Sequence, residues 1–179
     1  MKKPLFFLLL LSFALLQGCG VHMRNPPDPS ASLVFGYMDM NDAPTGLTYA
    51  TVKQYKPKPK DDKPYWYAST VDGIFWFEQL LPGSYQLVYF GGHSWWRNAK
   101  YDYYMPEFKK NDTAVVIKKP GIYFLGSYKY KDAGSFFNPK FEVEKMNRPT
   151  ELELLTKLLP YSSGTQWEAM IKKRMEQLR

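Results

Sequence analysis

From Ser32 onward the chain alternates between short β-branched or aromatic runs and clusters of Pro, Gly and Asp, a rhythm that belongs to strands and turns. Leu33-Val34-Phe35-Gly36-Tyr37-Met38 reads as a first strand, Asp42-Ala43-Pro44-Thr45-Gly46 as a turn, and Leu47 to Tyr55 as a second strand. Lys56 to Pro64 carries three prolines among its lysines, which keeps it out of a sheet interior. Tyr65 to Val71 and Ile74 to Phe77 flank Asp72-Gly73, a pair able to supply the positive φ that a type I′ hairpin turn needs at both central positions. Leu81-Pro82-Gly83-Ser84 turns into the alternating strand Tyr85 to Phe90, and the paired Gly91-Gly92 predict a sharp bend after it. Thr113 to Lys118 and Ile122 to Tyr130 are expected to pair around Pro120-Gly121, with Lys140 to Lys145 as the last strand.

The final thirty residues change period. Thr150 with Glu153, and Thr165 with Glu168, have the spacing of two capping boxes, in which the hydroxyl accepts from the N3 amide and the glutamate reaches back. Leu152, Leu155, Leu158 and Leu159 share a face of a first helix ended by Pro160, and Trp167, Met170, Ile171, Met175 and Leu178 share a face of a second. Each stripe has to pack on a sheet or on its neighbour. Lys172, Lys173, Arg174 and Arg179 read as a solvated face that also suits the helix dipole, with contact to anionic lipid as the alternative. The predicted fold is mainly β: an antiparallel β-sandwich over 32–146, then two short C-terminal α-helices within 147–179.

Gly73-Ile74-Phe75-Trp76-Phe77, followed by Leu81-Pro82-Gly83-Ser84-Tyr85-Gln86-Leu87, resembles the G-x-F-x-F…L-P-x-G-x-Y-x-L signature of prealbumin-like and carboxypeptidase-regulatory-like β-sandwiches. Lys119 to Gly126 is similar to the corresponding segment of small bacterial lipoproteins that carry such a sandwich. The likeness spans roughly residues 33 to 145 and implies a fold; it implies no activity, since sandwiches host many unrelated functions.

Upstream of the strands the pattern is different again. Lys2 and Lys3 precede an apolar run from Leu5 to Leu16, twelve residues long, which has the form of an export signal and is shorter than the about 20 residues a membrane-spanning helix needs. Leu16-Gln17-Gly18-Cys19 resembles the lipobox of bacterial lipoproteins. The resemblance implies diacylglycerol on the Cys19 thiol, cleavage after Gly18 and acylation of the new amino group, so that residues 1–18 are a signal peptide and the membrane is a partner. In a cell with two membranes, Gly20, where the family's inner-membrane retention signal has aspartate, implies the outer membrane. Residues 19–31, with Pro26, Pro27 and Pro29, read as an extended tether holding the domain off the membrane, with His22 solvated.

Composition narrows the chemistry. The 179 residues include 12 Phe, 14 Tyr and 5 Trp, far too aromatic for a disordered chain, and a single cysteine excludes an internal disulfide framework. Two histidines are too few for a His-rich metal centre, and no Walker or dinucleotide glycine motif is present, so no metal or cofactor is expected. A Ser-His-Asp set could draw only on Ser84 or Ser94, His93 and Asp102, without a Gly-x-Ser-x-Gly elbow, and no catalytic residues are expected. Loss of the signal removes Lys2 and Lys3 and no acid, lowering the formal charge from +7 to +5. Lysine predominance and export argue against nucleic acid as a partner.

One stretch stands apart: Gly91-Gly92-His93-Ser94-Trp95-Trp96, with Tyr101 close behind. His93, Trp95, Trp96 and Tyr101 either form a contact surface for a sugar or a protein partner, or the rings plug the ends of the sandwich and receive the helices. The sequence thus predicts a lipid-anchored, periplasm-facing binding or structural module of the cell envelope without catalysis, with a carbohydrate- or peptidoglycan-binding module around Trp95-Trp96 as the alternative.

Overall fold

The apolar run Ser32–Asp39 forms β1 at the centre of a five-stranded sheet and is buried on both sides, which is why its sequence is nearly continuous rather than alternating. The computed structural model describes residues 21–59, 63–105, 113–134 and 140–179. In chain order the strands are β1, β2 (Tyr49–Lys56), β3 (Tyr65–Tyr67), β4 (Ser69–Val71), β5 (Ile74–Leu80), β6 (Gly83–Ser94), β7 (Ala99–Tyr104), β8 (Ala114–Ile117), β9 (Ile122–Asp132) and β10 (Phe141–Met146). Helix α1 (Glu151–Leu158) runs into a 3-10 turn, Leu159–Ser162, and is followed by α2 (Gln166–Gln177).

The strands form two sheets of a β-sandwich. The first has the order β10-β9-β1-β5-β4; the second has β3-β2-β6-β7, with β8 pairing to the start of β6 beyond β7. All pairings are antiparallel except β1 with β9. Val34, Met38, Phe75 and Phe77 of the first sheet meet Val52, Leu87, Phe90 and Tyr103 of the second in a central core. The opposite face of the first sheet presents Leu33, Phe35, Ile74 and Trp76 to Leu154, Leu155 and Leu158 of α1 and to Trp167, Ile171 and Met175 of α2. The layers are therefore helices, first sheet, second sheet. The outer face of the second sheet lies against no other layer among the described residues.

Two turns carry the residues behind the prealbumin-like resemblance, and both use them in the same way. In Leu81-Pro82-Gly83-Ser84-Tyr85 the Tyr85 hydroxyl donates back to the Leu81 carbonyl at 2.8 Å; in Lys119-Pro120-Gly121-Ile122-Tyr123 the Tyr123 hydroxyl donates to the Lys119 carbonyl at 2.7 Å. Each tyrosine ties its strand to the residue before the proline. Burial pushes the Tyr85 hydroxyl up to about 12, so this bond persists at any ordinary pH. The signature is thus a device for fixing turns.

Several local expectations change. Tyr65 to Val71 is not one strand: the chain leaves the second sheet at Ala68, so that β3 pairs with β2 and β4 with β5. Thr113 to Lys118 and Ile122 to Tyr130 do not pair with each other, because the Pro120-Gly121 turn passes between sheets, delivering β8 to β6 and β9 to β1. Gly91 and Gly92 do not bend the chain but continue β6 to Ser94. Asp72 and Gly73, with φ of 47° and 79°, do form the two-residue turn between β4 and β5.

At the C-terminus the first capping box is complete, with Thr150 accepting from the Glu153 amide and Glu153 from the Thr150 amide. The second does not form. The Thr165 hydroxyl donates to the Ser162 carbonyl, Glu168 accepts from the Gly164 amide, and the first amide of α2, that of Gln166, donates 2.7 Å to Asn25 Oδ1. Pro160 ends α1 by tightening the chain into the 3-10 turn. Arg174 grips Glu151 through two nitrogens, at 2.7 and 3.1 Å, and joins the helices.

Asn25 belongs to the segment expected to be a tether, and that segment is docked. Met23 is buried among Leu33, Trp76 and Trp167, and its amide donates to the Tyr161 carbonyl at 2.8 Å. The Arg24 amide donates to Glu78 and the Arg24 carbonyl accepts from the Trp167 indole at 2.9 Å. Residues Met23 to Asn25 form part of the folded domain. No helix among the described residues is long and apolar enough to cross a membrane.

Candidate functional site

The outer face of the second sheet is built from alternate residues of four strands: Tyr65 and Tyr67 on β3; Tyr49, Thr51, Lys53 and Tyr55 on β2; Tyr89, Gly91 and His93 on β6; and Lys100, Asp102 and Tyr104 on β7. Because side chains alternate along a strand, this register gathers six tyrosines on one surface. Tyr67 and Tyr104 are each 69% exposed, and Tyr55 and Tyr65 are exposed as well.

The rings are held in place by one another. Tyr89 meets Tyr49 edge-on at 6.2 Å and lies tilted to Tyr104 at 5.8 Å, and the neighbouring Tyr89 hydroxyl raises the Tyr67 pKa. Thr51, register partner of both Tyr67 and Tyr89, is fully buried between them although it belongs to the outward face. Tyr49 lies over Gly91, where a Cβ would overlap both its hydroxyl and the Tyr101 carbonyl. That glycine is required by close approach. The Tyr49 hydroxyl shares its proton between the Tyr101 carbonyl at 2.6 Å and Asp102 Oδ1 at 2.5 Å. Burial, then the bonded Asp102, holds the Tyr49 hydroxyl well above the usual tyrosine range; the same bond, with help from Lys100 at 3.1 Å, holds the Asp102 carboxyl below its own.

Cations stand over the rings. Lys53 Nζ lies 5.4 Å from the Tyr55 centroid and 5.8 Å from that of Tyr65, and Lys100 Nζ lies 5.0 Å from Tyr49. At the tip of the β6–β7 hairpin the chain turns through Trp95-Trp96-Arg97-Asn98, with Asn98 at φ 45°. Trp95 is 85% exposed and Trp96 74%, and Arg97 lies 5.6 Å from the Trp96 ring. Neither ring plugs the sandwich or meets a helix; the two project from the end of the tyrosine face.

The residues singled out in the sequence are only partly brought together. Trp95 and Trp96 adjoin on the tip, and His93 is exposed two residues before it, opposite Lys100 on the tyrosine face. Tyr101 pairs with Gly92 and points to the other side, half-buried against the central core. Cys19 lies outside the described residues. Ser94 is buried while neighbouring His93 faces outward, and Asp102 is engaged with Tyr49 and Lys100, so the Ser-His-Asp combination is not assembled. Among the described residues no three His, Cys, Asp or Glu side chains come together as a metal site. What sequence reasoning missed is the tyrosine row. Its trace is visible as Tyr65-x-Tyr67 and Tyr49-x-Thr51-x-Lys53-x-Tyr55, but alternation alone does not say which face the helices will cover.

A second concavity, of about 610 Å³, lies where the N-terminal segment passes the β3–β4 crossing. Val21, His22 and Arg24 form one wall, and Trp66, Tyr67 and Ser69 the other. Comparison with protein-family models, with curated proteins and with solved structures finds no match in any of the three.

Proposed function

We propose that the protein is a lipid-anchored module of the bacterial cell envelope, attached through Cys19 and facing the periplasm from the outer membrane, which binds a glycan on the aromatic face of its second sheet and performs no catalysis. The observation that carries the binding reading is the run of mutually braced rings Tyr49, Tyr89 and Tyr104, on the β6–β7 side of that face, together with the exposed Trp95-Trp96 pair at its tip. Flat rings stack against the C–H faces of sugars, and tyrosine hydroxyls and lysines bordering them supply polar contacts. Peptidoglycan is the glycan that an outer-membrane protein facing the periplasm meets. Anchoring rests on the Leu16-Gln17-Gly18-Cys19 motif, and a prealbumin-like origin of the sandwich is supported by the Pro-Gly-x-Tyr turns.

A sacculus pulldown tests the binding: wild-type protein is retained on purified peptidoglycan and the Trp95→Ala/Trp96→Ala double variant is washed off. Equal retention of the two rejects the glycan reading and leaves a protein partner for the same rings. Metabolic labelling with a palmitate analogue tests the anchor, tagging the wild type and not Cys19→Ala.

A further inference from the structure

The docked N-terminal segment sets how far the domain can stand from its anchor. Met23 is buried and tied to Tyr161, and Arg24 and Asn25 are tied to Glu78, Trp167 and Gln166. Four residue steps separate Met23 from Cys19, a reach of at most about 14 Å. Val21, two steps from Cys19, is 44% exposed and shares the 610 Å³ cleft with Trp66 and Tyr67 of β3. Val21, the first described residue, therefore lies beside the β3 edge.

That edge has the chemistry of a headgroup-level contact. Tyr65 and Tyr67 are exposed on it, amphipathic rings of the kind that collect at membrane interfaces. Lys53 lies over the Tyr55 and Tyr65 rings, and exposed Lys56, Lys58 and Lys63 flank the same strand. Lys53, Lys56, Lys58 and Lys63 together give this edge a positive charge suited to anionic lipid. The second cationic cluster, Lys172 and Lys173, sits on α2, on the far side of the first sheet.

We propose that the β3 edge, with Val21, Tyr65, Tyr67 and the lysines beside them, is the surface that rests on the membrane once Cys19 is acylated. This rests on the anchor reading and goes beyond it: the domain lies against the bilayer in one orientation. The β7 edge, three strand spacings or about 14 Å away, and the Trp95-Trp96 tip then point off the membrane.

The test uses the mature acylated protein in vesicles of phosphatidylethanolamine and phosphatidylglycerol. Cys19 is consumed by its thioether, so a spin label can be placed at Tyr67→Cys, or at Tyr65→Cys should the first variant fold poorly, with Lys173→Cys and Trp96→Cys as remote positions. At the β3 positions, collision with a water-soluble nickel chelate should fall severalfold and collision with oxygen should rise, whereas labels at 173 and 96 stay aqueous. If the protein floats with the vesicles and the β3 label is as accessible to nickel as the label at 173, the orientation is overturned while the anchor stands. Protein that carries no lipid and does not float overturns both.

Discussion

At Gly91 a missing side chain determines the shape of the neighbouring ring. Tyr49 can cross β6 and reach Asp102 only because position 91 has no Cβ. Gly91→Ala should displace Tyr49 and lower stability by about 1–3 kcal/mol in urea denaturation, the range for overpacking a fitted site. Trp95→Ala and Trp96→Ala, at rings that pack on nothing in the core, should stay within about 0.5 kcal/mol of wild type in the same experiment. Asp102 makes the site sensitive to acid. Its carboxyl is held below the ordinary 3.8 by Tyr49 and Lys100, so the folded state favours the charged form. A depressed folded-state pKa contributes stability that is complete above the unfolded value and lost as pH falls through the folded one. Resistance of the wild type to urea should therefore fall below pH about 4, and Asp102→Asn should lessen that fall.

At the scale of elements, the docked segment is the feature that sequence pattern could not supply. Met23 has no neighbour in sequence to share an apolar period with; its partners, Trp76 and Trp167, lie 53 and 144 positions away. Met23→Ala should cost about 2–5 kcal/mol, as truncating a buried methionine does, where the same change in a free tether would cost nothing. The same limit explains the other corrections. Most strand and helix periods are legible because each is written in consecutive residues, and so are the Asp72-Gly73 turn and the Thr150-Glu153 cap; β7, which forms only by pairing back on the unforeseen extension of β6, is not. Partners are not: nothing in Tyr65 to Val71 marks Ala68 as a crossing, and Pro120-Gly121 turns the chain equally well within a sheet or between two. Thr165 and Glu168 have the spacing of a capping box, yet Asn25 reaches the Gln166 amide from outside the helix and leaves Thr165 to the Ser162 carbonyl.

For the whole molecule, the decisive arrangement is that the helices cover one sheet and leave the other bare. Covering the first sheet removes Phe35 and Trp76 from water; the second keeps its tyrosines in it. The candidate site was legible in the sequence at its tip, where Trp95 and Trp96 adjoin in the chain, and illegible along its length, where one face collects side chains from four strands. The helices also close the fold in a particular order. Asn25 and Gln166, whose bond fastens the docked segment to α2, are 141 residues apart. A growing chain delivers the first of them long before the second. Until α2 arrives, Met23 lacks Trp167 beside it and the outer face of the first sheet has only α1 over it, so α2 is the element that seals the start of the domain.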